Sequence, residues 1–206
     1  GRFYTEEMLL AEAAQKQGIL PVWIPEKILA RNKVTLTNEI IAAGSVPYVK
    51  HALRALDKEL PEENSYPDPL GPFLHREVRA LGSLREAKQI LDAGRPLFIK
   101  PMQLKRFTGF VTYDSYDPRF NGASDRMPVW ISEPVKWLSE WRYYVVNGTI
   151  VSMQPAPGTD ESIIPDSKVI ADAVKLVSMA KIASAYAIDF GVLSTGETAL
   201  IEMNDG

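Results

Sequence analysis

Two runs near the C-terminus decide how this chain is read: Ile188-Asp189-Phe190-Gly191-Val192-Leu193 and Ala199-Leu200-Ile201-Glu202-Met203-Asn204-Asp205-Gly206, joined around Ser194-Thr195-Gly196-Glu197. Both are rich in strand-forming residues, and the turn between them lets them pair antiparallel. Glu202 and Asn204 stand two apart, so alternation puts both side chains on one face. Ile201 and Met203 take the other face, toward the core. Register then sets Asp189 on the face of Glu202 and Asn204. Three oxygen ligands of the Asp, Glu and Asn types suit a hard cation such as Mg²⁺, which keeps water and phosphate oxygens in its remaining positions. The competing reading is a solvated strand face ending in an Asn204-Asp205-Gly206 turn.

Upstream, three segments carry charge in positions that could serve chemistry. Phe98-Ile99-Lys100-Pro101 ends an apolar strand in a lysine, either a snorkelling edge residue or a fixed charge aimed at phosphate. In the loop that follows, Lys105, Arg106 and Gly109 could form a short phosphate-covering turn. Its glycine content is too low for a P-loop. In Glu140-Trp141-Arg142-Tyr143-Tyr144 the arginine shares a face with Glu140 and Tyr144. It is either structurally paired, with Glu140 as a ready partner, or a bidentate anion clamp.

The bulk properties narrow the classes. A chain of 206 residues can bury a real core as one large or two small domains. The net charge of -3 gives no reason to expect a nucleic-acid partner. With no cysteine, a thiol nucleophile, a thiolate zinc site and disulfides are all excluded. The only histidines are His51 and His75, too few for a three-histidine metal site. No apolar run reaches the length of a membrane span and the N-terminus shows no signal-peptide pattern, so the expected setting is cytoplasmic.

The remaining elements follow from local signals. Thr5 to Gly18 reads as a helix with Thr5 as N-cap, followed by an extended Ile19 to Ile24. Gly44 to Leu56 holds a second helix. Pro61, Pro67, Pro69 and Pro72 mark a linker or extended wrap over Leu60 to Pro72. Ser83-Leu84-Arg85-Glu86 is a capping box for a helix ending before Gly94. Leu97 to Lys100, Phe107 to Tyr113 and Val129 to Ser132 read as strands. Asn147-Gly148 joins Arg142–Val146 to Thr149–Met153 as a hairpin. Lys168 to Tyr186 reads as a helix with Ile170, Ala173, Val174 and Val177 on one face and Asp166 or Ser167 as cap.

In this order, Phe98–Pro101, Val129–Val135, Glu140–Val146, Ile188–Val192 and Leu200–Gly206 resemble the ATP-grasp superfamily, and within it the bacterial and phage clade in which arginine replaces the first nucleotide-binding lysine. The likeness covers roughly residues 72–206. It implies an α/β protein, with α+β character in the ATP-binding lobes. The expected parts are an N-terminal α/β lobe at 1–70, a central lobe at 71–131 and a truncated C-terminal lobe at 132–206. It further implies that Arg76, with Arg79 as the nearby competitor, takes the first lysine's place. Lys100 looks like the second lysine, and Ser132, Glu133, Pro134 and Val135 look like the adenine hinge. Arg142 matches the arginine that faces the γ-phosphate, and Asp189, Glu202 and Asn204 match the Mg²⁺ ligands. The implied activity is ATP-dependent joining of a carboxylate to an amine through an acyl phosphate, on a small-molecule or peptide substrate. Relatives often carry a further basic residue after the hairpin, whereas Gln154 to Ser162 has none. The alternatives are a nucleotide-binding regulatory module without ligase activity, and an interaction protein whose charges are only surface ion pairs.

Overall fold

The computed structural model describes residues 5–58, 64–102 and 107–205. The chain divides into two compact units, Gly1–Glu62 and Glu63–Gly206.

The described part of the first unit is helical: α1 (Thr5–Lys16), α2 (Glu26–Ala30) and α3 (Val46–Ala55). Ser45 caps α3 by accepting from the Tyr48 N–H. Leu29 of α2 and Ala52 of α3 are buried, while α1 buries no residue. Ile19–Ile24 forms no strand, contrary to expectation. A strand needs a neighbour for its N–H and C=O groups, and no other strand occurs among the described residues of this unit. Leu20 and Val22 are accordingly exposed.

The second unit is built on two four-stranded antiparallel sheets. The first has the order β1 (Val78–Leu81), β4 (Val129–Ser132), β2 (Leu97–Pro101), β3 (Phe110–Thr112). Helix α4 (Leu84–Asp92) buries Leu84, Ala87 and Leu91, spaced to share one face, against Leu97, Ile99, Val129 and Ile131. Its capping box forms in a modified way. The Ser83 hydroxyl accepts from the Glu86 N–H and donates to the Glu86 carboxylate at 2.7 Å.

The second sheet runs β6 (Thr149–Pro155), β5 (Trp137–Val146), β7 (Ala185–Leu193), β8 (Thr198–Asp205). Asn147 and Gly148 both adopt positive φ, 50° and 74°, the pair of values a two-residue hairpin turn needs. One sheet face carries Trp141, Tyr143, Val145, Tyr186, Ile188, Phe190 and Leu200. Helix α5 (Ser167–Met179) covers it with Ile170, Ala173, Val174 and Val177, and Asp166 caps the helix by accepting from Lys168 N–H. The helix stops at Met179 instead of running to Tyr186. Lys181 turns the chain at φ 52°, and Tyr186 pairs with Val145 in the sheet, where it is buried. Leu70, from a 3-10 turn over Asp68–Phe73, completes this core. Among the described residues no helix is long and apolar enough to cross a membrane.

A bulge in β8 alters the expected facing. Asp189 pairs with Glu202 but Phe190 with Leu200, which leaves Ile201 as the extra residue. Leu200 and Met203 therefore enter the core, and Ile201 moves beside Gly191, in the row of Asp189. Gly191 has no room for a side chain. A Cβ there would lie 2.4 Å from the Ser139 carbonyl oxygen and 2.6 Å from the Trp137 ring. Gly191→Ala should cost about 1–3 kcal/mol by overpacking. Urea unfolding measures this, and an unchanged midpoint would mean that β5 and β7 shift apart freely.

Candidate functional site

Three neighbouring strands of the second sheet place one charged residue each in a single row: Arg142 on β5 pairs with Asp189 on β7, which pairs with Glu202 on β8. Arg142 grips Asp189 with two hydrogen bonds, Nε to Oδ1 at 2.8 Å and Nη2 to Oδ2 at 2.7 Å. The partner is Asp189 and not Glu140. A residue directly across a strand pair is closer than one two positions along the same strand. Asn204, two residues past Glu202, donates to Glu202 Oε1 at 2.9 Å and to Asp189 Oδ2 at 3.4 Å.

The first sheet reaches the same row through Lys100. On β2 it stands opposite Trp130, and its Nζ donates to the Glu202 carboxylate and to Ser65 Oγ, the latter at 2.9 Å. A continuous polar chain results: Ser65, Lys100, Glu202, Asn204, Asp189, Arg142. It joins the two sheets by side chains, two cations against two carboxylates.

Burial and pairing compete along this chain. Asp189 is 3% exposed, and burial raises its carboxyl above the usual range even though Arg142 opposes the shift. The bidentate contact in turn holds Arg142 above its ordinary range. Burial alone would raise Glu202 too. There the nearby Lys100 charge, hydrogen bonds from Lys100 and Asn204, and the Arg142 charge win, leaving it below its usual range. Glu140, on the same face, is pushed up by burial and then by the negative charges of Asp189 and Glu202.

Arg76 sits at the same junction but is held by main chain. Its Nη1 donates to Leu200 O at 2.6 Å and Leu74 O at 3.1 Å, and its Nη2 to Ile201 O at 2.9 Å. Its guanidinium carbon stands 5.3 Å from the Trp137 ring centre. Arg79 is instead exposed and paired with Glu77. Ser132 closes β4 and Trp137 opens β5, so Glu133, Pro134 and Val135 lie in the segment that passes from one sheet to the other. The Ser132 hydroxyl donates to Glu133 O, and Glu133 Oε1 accepts from Glu77 N–H. Lys105 and Arg106 lie outside the described residues.

Sequence reasoning missed Ser65 and Tyr66, which it left inside a proline-rich linker. Tyr66 is buried, edge-on to Trp130 at 5.0 Å between ring centres, and Lys100 Nζ lies 5.5 Å from its ring. The local signal was present only as an aromatic between prolines, and what it packs against is distant in sequence.

Among the described residues no three His, Asp or Glu side chains cluster as a metal-binding group. The donor set here is two carboxylates and one amide. All its oxygens are hard donors, and Asn204 needs only an amide reversal to turn its oxygen toward Asp189 and Glu202. The set therefore fits a cation of the Mg²⁺ type that fills its other positions with water or phosphate oxygen.

Two helix-backed antiparallel sheets, joined through paired cations and carboxylates, define a mixed α/β protein. The family model described as an ATP-grasp domain, R2K clade family 2, matches residues 73–206, and the chain belongs to that family. No curated protein matches it. Solved structures with a similar fold include the ATP-grasp ligase PsnB complexed with a minimal precursor, at 12% identity and a TM-score of 0.43, over 63% of this chain and 46% of that one. The macrocyclase MdnC from Microcystis aeruginosa, bound with its precursor peptide MdnA, gives 16% identity and 0.44 over 66% and 49%. D-alanyl-alanine synthetase A from Vibrio cholerae gives 15% and 0.42 over 77% and 53%. The chain thus spans about half the length of these proteins.

Proposed function

We propose that this chain carries the ATP-binding lobes of a ligase that joins a carboxylate to an amine at the expense of ATP. The observation that carries the reading is the row Arg142, Asp189, Glu202 on one sheet, met by Lys100 from the other. Family membership supports ATP as the nucleotide.

In this reading the residues take distinct roles. The central and C-terminal lobes are 71–131 and 132–206, preceded in the chain by an N-terminal lobe at 1–70. Ser132, Glu133, Pro134 and Val135 offer backbone hydrogen bonds to the adenine edge. Lys100 meets the inner phosphates. Arg76 stands in for the first lysine and contributes charge and a stacking plane, since main-chain carbonyls already hold much of its guanidinium. Lys105 and Arg106 cover the phosphates. Asp189, Glu202 and Asn204 would hold Mg²⁺, which when bound neutralises phosphate charge. Arg142 faces the γ-phosphate and stabilises the charge that spreads over it during transfer.

The chemistry needs no nucleophile from the protein. A substrate carboxylate oxygen attacks the γ-phosphorus as its bond to the bridging oxygen breaks, releasing ADP. The acyl phosphate so formed is attacked at carbon by an amine, which loses a proton while inorganic phosphate leaves. The protein's work is to hold the reactants in line and keep water away. A chain without cysteine is suited to such a reaction. The acceptor is a small molecule or a peptide; some proteins of similar fold are described with bound precursor peptides.

The test has two stages. ATP with Mg²⁺ at about a hundred times Kd should stabilise the chain by about 2.7 kcal/mol. Adding amino acids or short peptides should then stimulate release of ADP and phosphate. Stabilisation without stimulated release favours a nucleotide-binding regulatory module. No stabilisation favours an interaction protein in which Lys100–Glu202 and Arg142–Asp189 are only ion pairs.

A further inference from the structure

The stretch Ser65-Tyr66 lies across the junction of the two sheets and touches the charged residues of both. The Ser65 carbonyl accepts from Met203 N–H at 2.9 Å, which fixes the stretch to β8 between Glu202 and Asn204. The Ser65 hydroxyl accepts from Lys100 Nζ at 2.9 Å. The Tyr66 ring packs edge-on against Trp130, the residue directly opposite Lys100 in the first sheet, and presents its face to the Lys100 ammonium at 5.5 Å. One dipeptide therefore meets Lys100 and the strand that carries Glu202 and Asn204.

Each contact limits what a cation can do. A lysine has four rotatable bonds, and its ammonium would otherwise sample many positions around Glu202. The Ser65 acceptor and the Tyr66 ring face restrict it to one side of the carboxylate. Burial pushes the Tyr66 hydroxyl up to about 12, so the phenol stays neutral beside the Lys100 ammonium.

We propose that Ser65 and Tyr66 form a positioning strap that holds Lys100 in place at the junction, so that its ammonium is set for a nucleotide before it arrives. The consequence for nucleotide binding rests on the ATP-binding reading above; the positioning itself does not. Neither residue is a catalytic group. They act through Lys100, and loosening them should lower affinity by making its ammonium reorganise on binding.

The test uses the whole chain and the variants Ser65→Ala, Ser65→Thr, Tyr66→Phe and Tyr66→Leu. The first readout needs no nucleotide: the rate at which an amine-reactive acylating reagent labels Lys100, followed by peptide mapping. Tyr66→Leu and Ser65→Ala should each raise that rate several-fold, and Ser65→Thr, which keeps the hydroxyl, should restore it. The second readout is calorimetric titration with ATP and Mg²⁺. Tyr66→Leu should weaken binding by about tenfold, and Tyr66→Phe by less, because it keeps the ring face and loses only the hydroxyl. Faster labelling together with weaker ATP binding supports the strap. Faster labelling in a protein whose parent chain does not bind ATP leaves the strap standing and removes the nucleotide reading. Unchanged labelling in both Ser65→Ala and Tyr66→Leu overturns the strap, as does weakened ATP binding in Tyr66→Leu that merely tracks a loss of folded protein. Ser65→Ala removes a single hydroxyl from a half-buried residue, so it keeps the question answerable if Tyr66→Leu does not fold.

Discussion

Replacing Arg142 with methionine should destabilise the second unit by about 2–4 kcal/mol, the larger of the single-residue effects expected on folding. Asp189 is buried and accepts two short hydrogen bonds from Arg142. Removing the guanidinium leaves a carboxylate with only Asn204 at 3.4 Å as a neutral donor. Breaking a fully buried pair costs about 3–5 kcal/mol, and the figure is reduced here because the Arg142 side chain is 45% exposed and its charge is partly screened by water. The double variant Arg142→Met with Asp189→Leu should regain most of the loss, since no charge is then left unpaired. Both proteins should have lost ATP turnover. Urea unfolding of the parent, the single and the double variant measures the cycle. A single variant within about 0.5 kcal/mol of the parent would show that the pair does not hold this part of the sheet.

Glu202→Gln should have the largest effect on function. The substitution keeps shape and removes one charge. In the proposed site it takes away a metal ligand, and losses on the order of a hundredfold in Mg²⁺-dependent ATP turnover are expected. The fold should lose less than turnover does, because the new amide oxygen can still accept from Lys100 and the Asn204 amide can reverse so that its oxygen accepts from the new NH2. Lys100→Ala should weaken ATP binding, on the order of tenfold or more, while leaving the first sheet folded. If Glu202→Gln turns over ATP normally, the metal assignment falls. If Lys100→Ala binds ATP as tightly as the parent, its assigned contact with phosphate falls.

What could be read from sequence divides along the distance between interacting residues. Asn147-Gly148 fixed a hairpin because the signal and its consequence are adjacent. Ser83 and Glu86 marked the start of α4, and the spacing of Ile170, Ala173, Val174 and Val177 marked the buried face of α5. The neighbourhood of Asp189, Glu202 and Asn204 followed from strand alternation and a short turn, although the bulge that displaces Ile201 did not. Contacts between elements far apart in the chain were out of reach. Arg142 was given Glu140 as its ready partner, because the pairing of β5 with β7 crosses more than forty positions and leaves no local mark. Tyr66 looked like linker for the same reason. Ile19–Ile24 looked like a strand by composition, but composition does not supply a neighbouring strand.

The central claim is that nucleotide and metal meet at the row formed by Lys100, Glu202, Asp189 and Arg142. The most direct measurement is a crystal structure of the chain with a non-hydrolysable ATP analogue and Mn²⁺, with the metal located by its anomalous scattering. The account predicts a metal peak within ligand distance of Asp189, Glu202 and Asn204, and phosphate oxygens in contact with Lys100 and Arg142. A metal peak elsewhere, or a bound nucleotide whose phosphates lie away from Lys100 and Arg142, would contradict it.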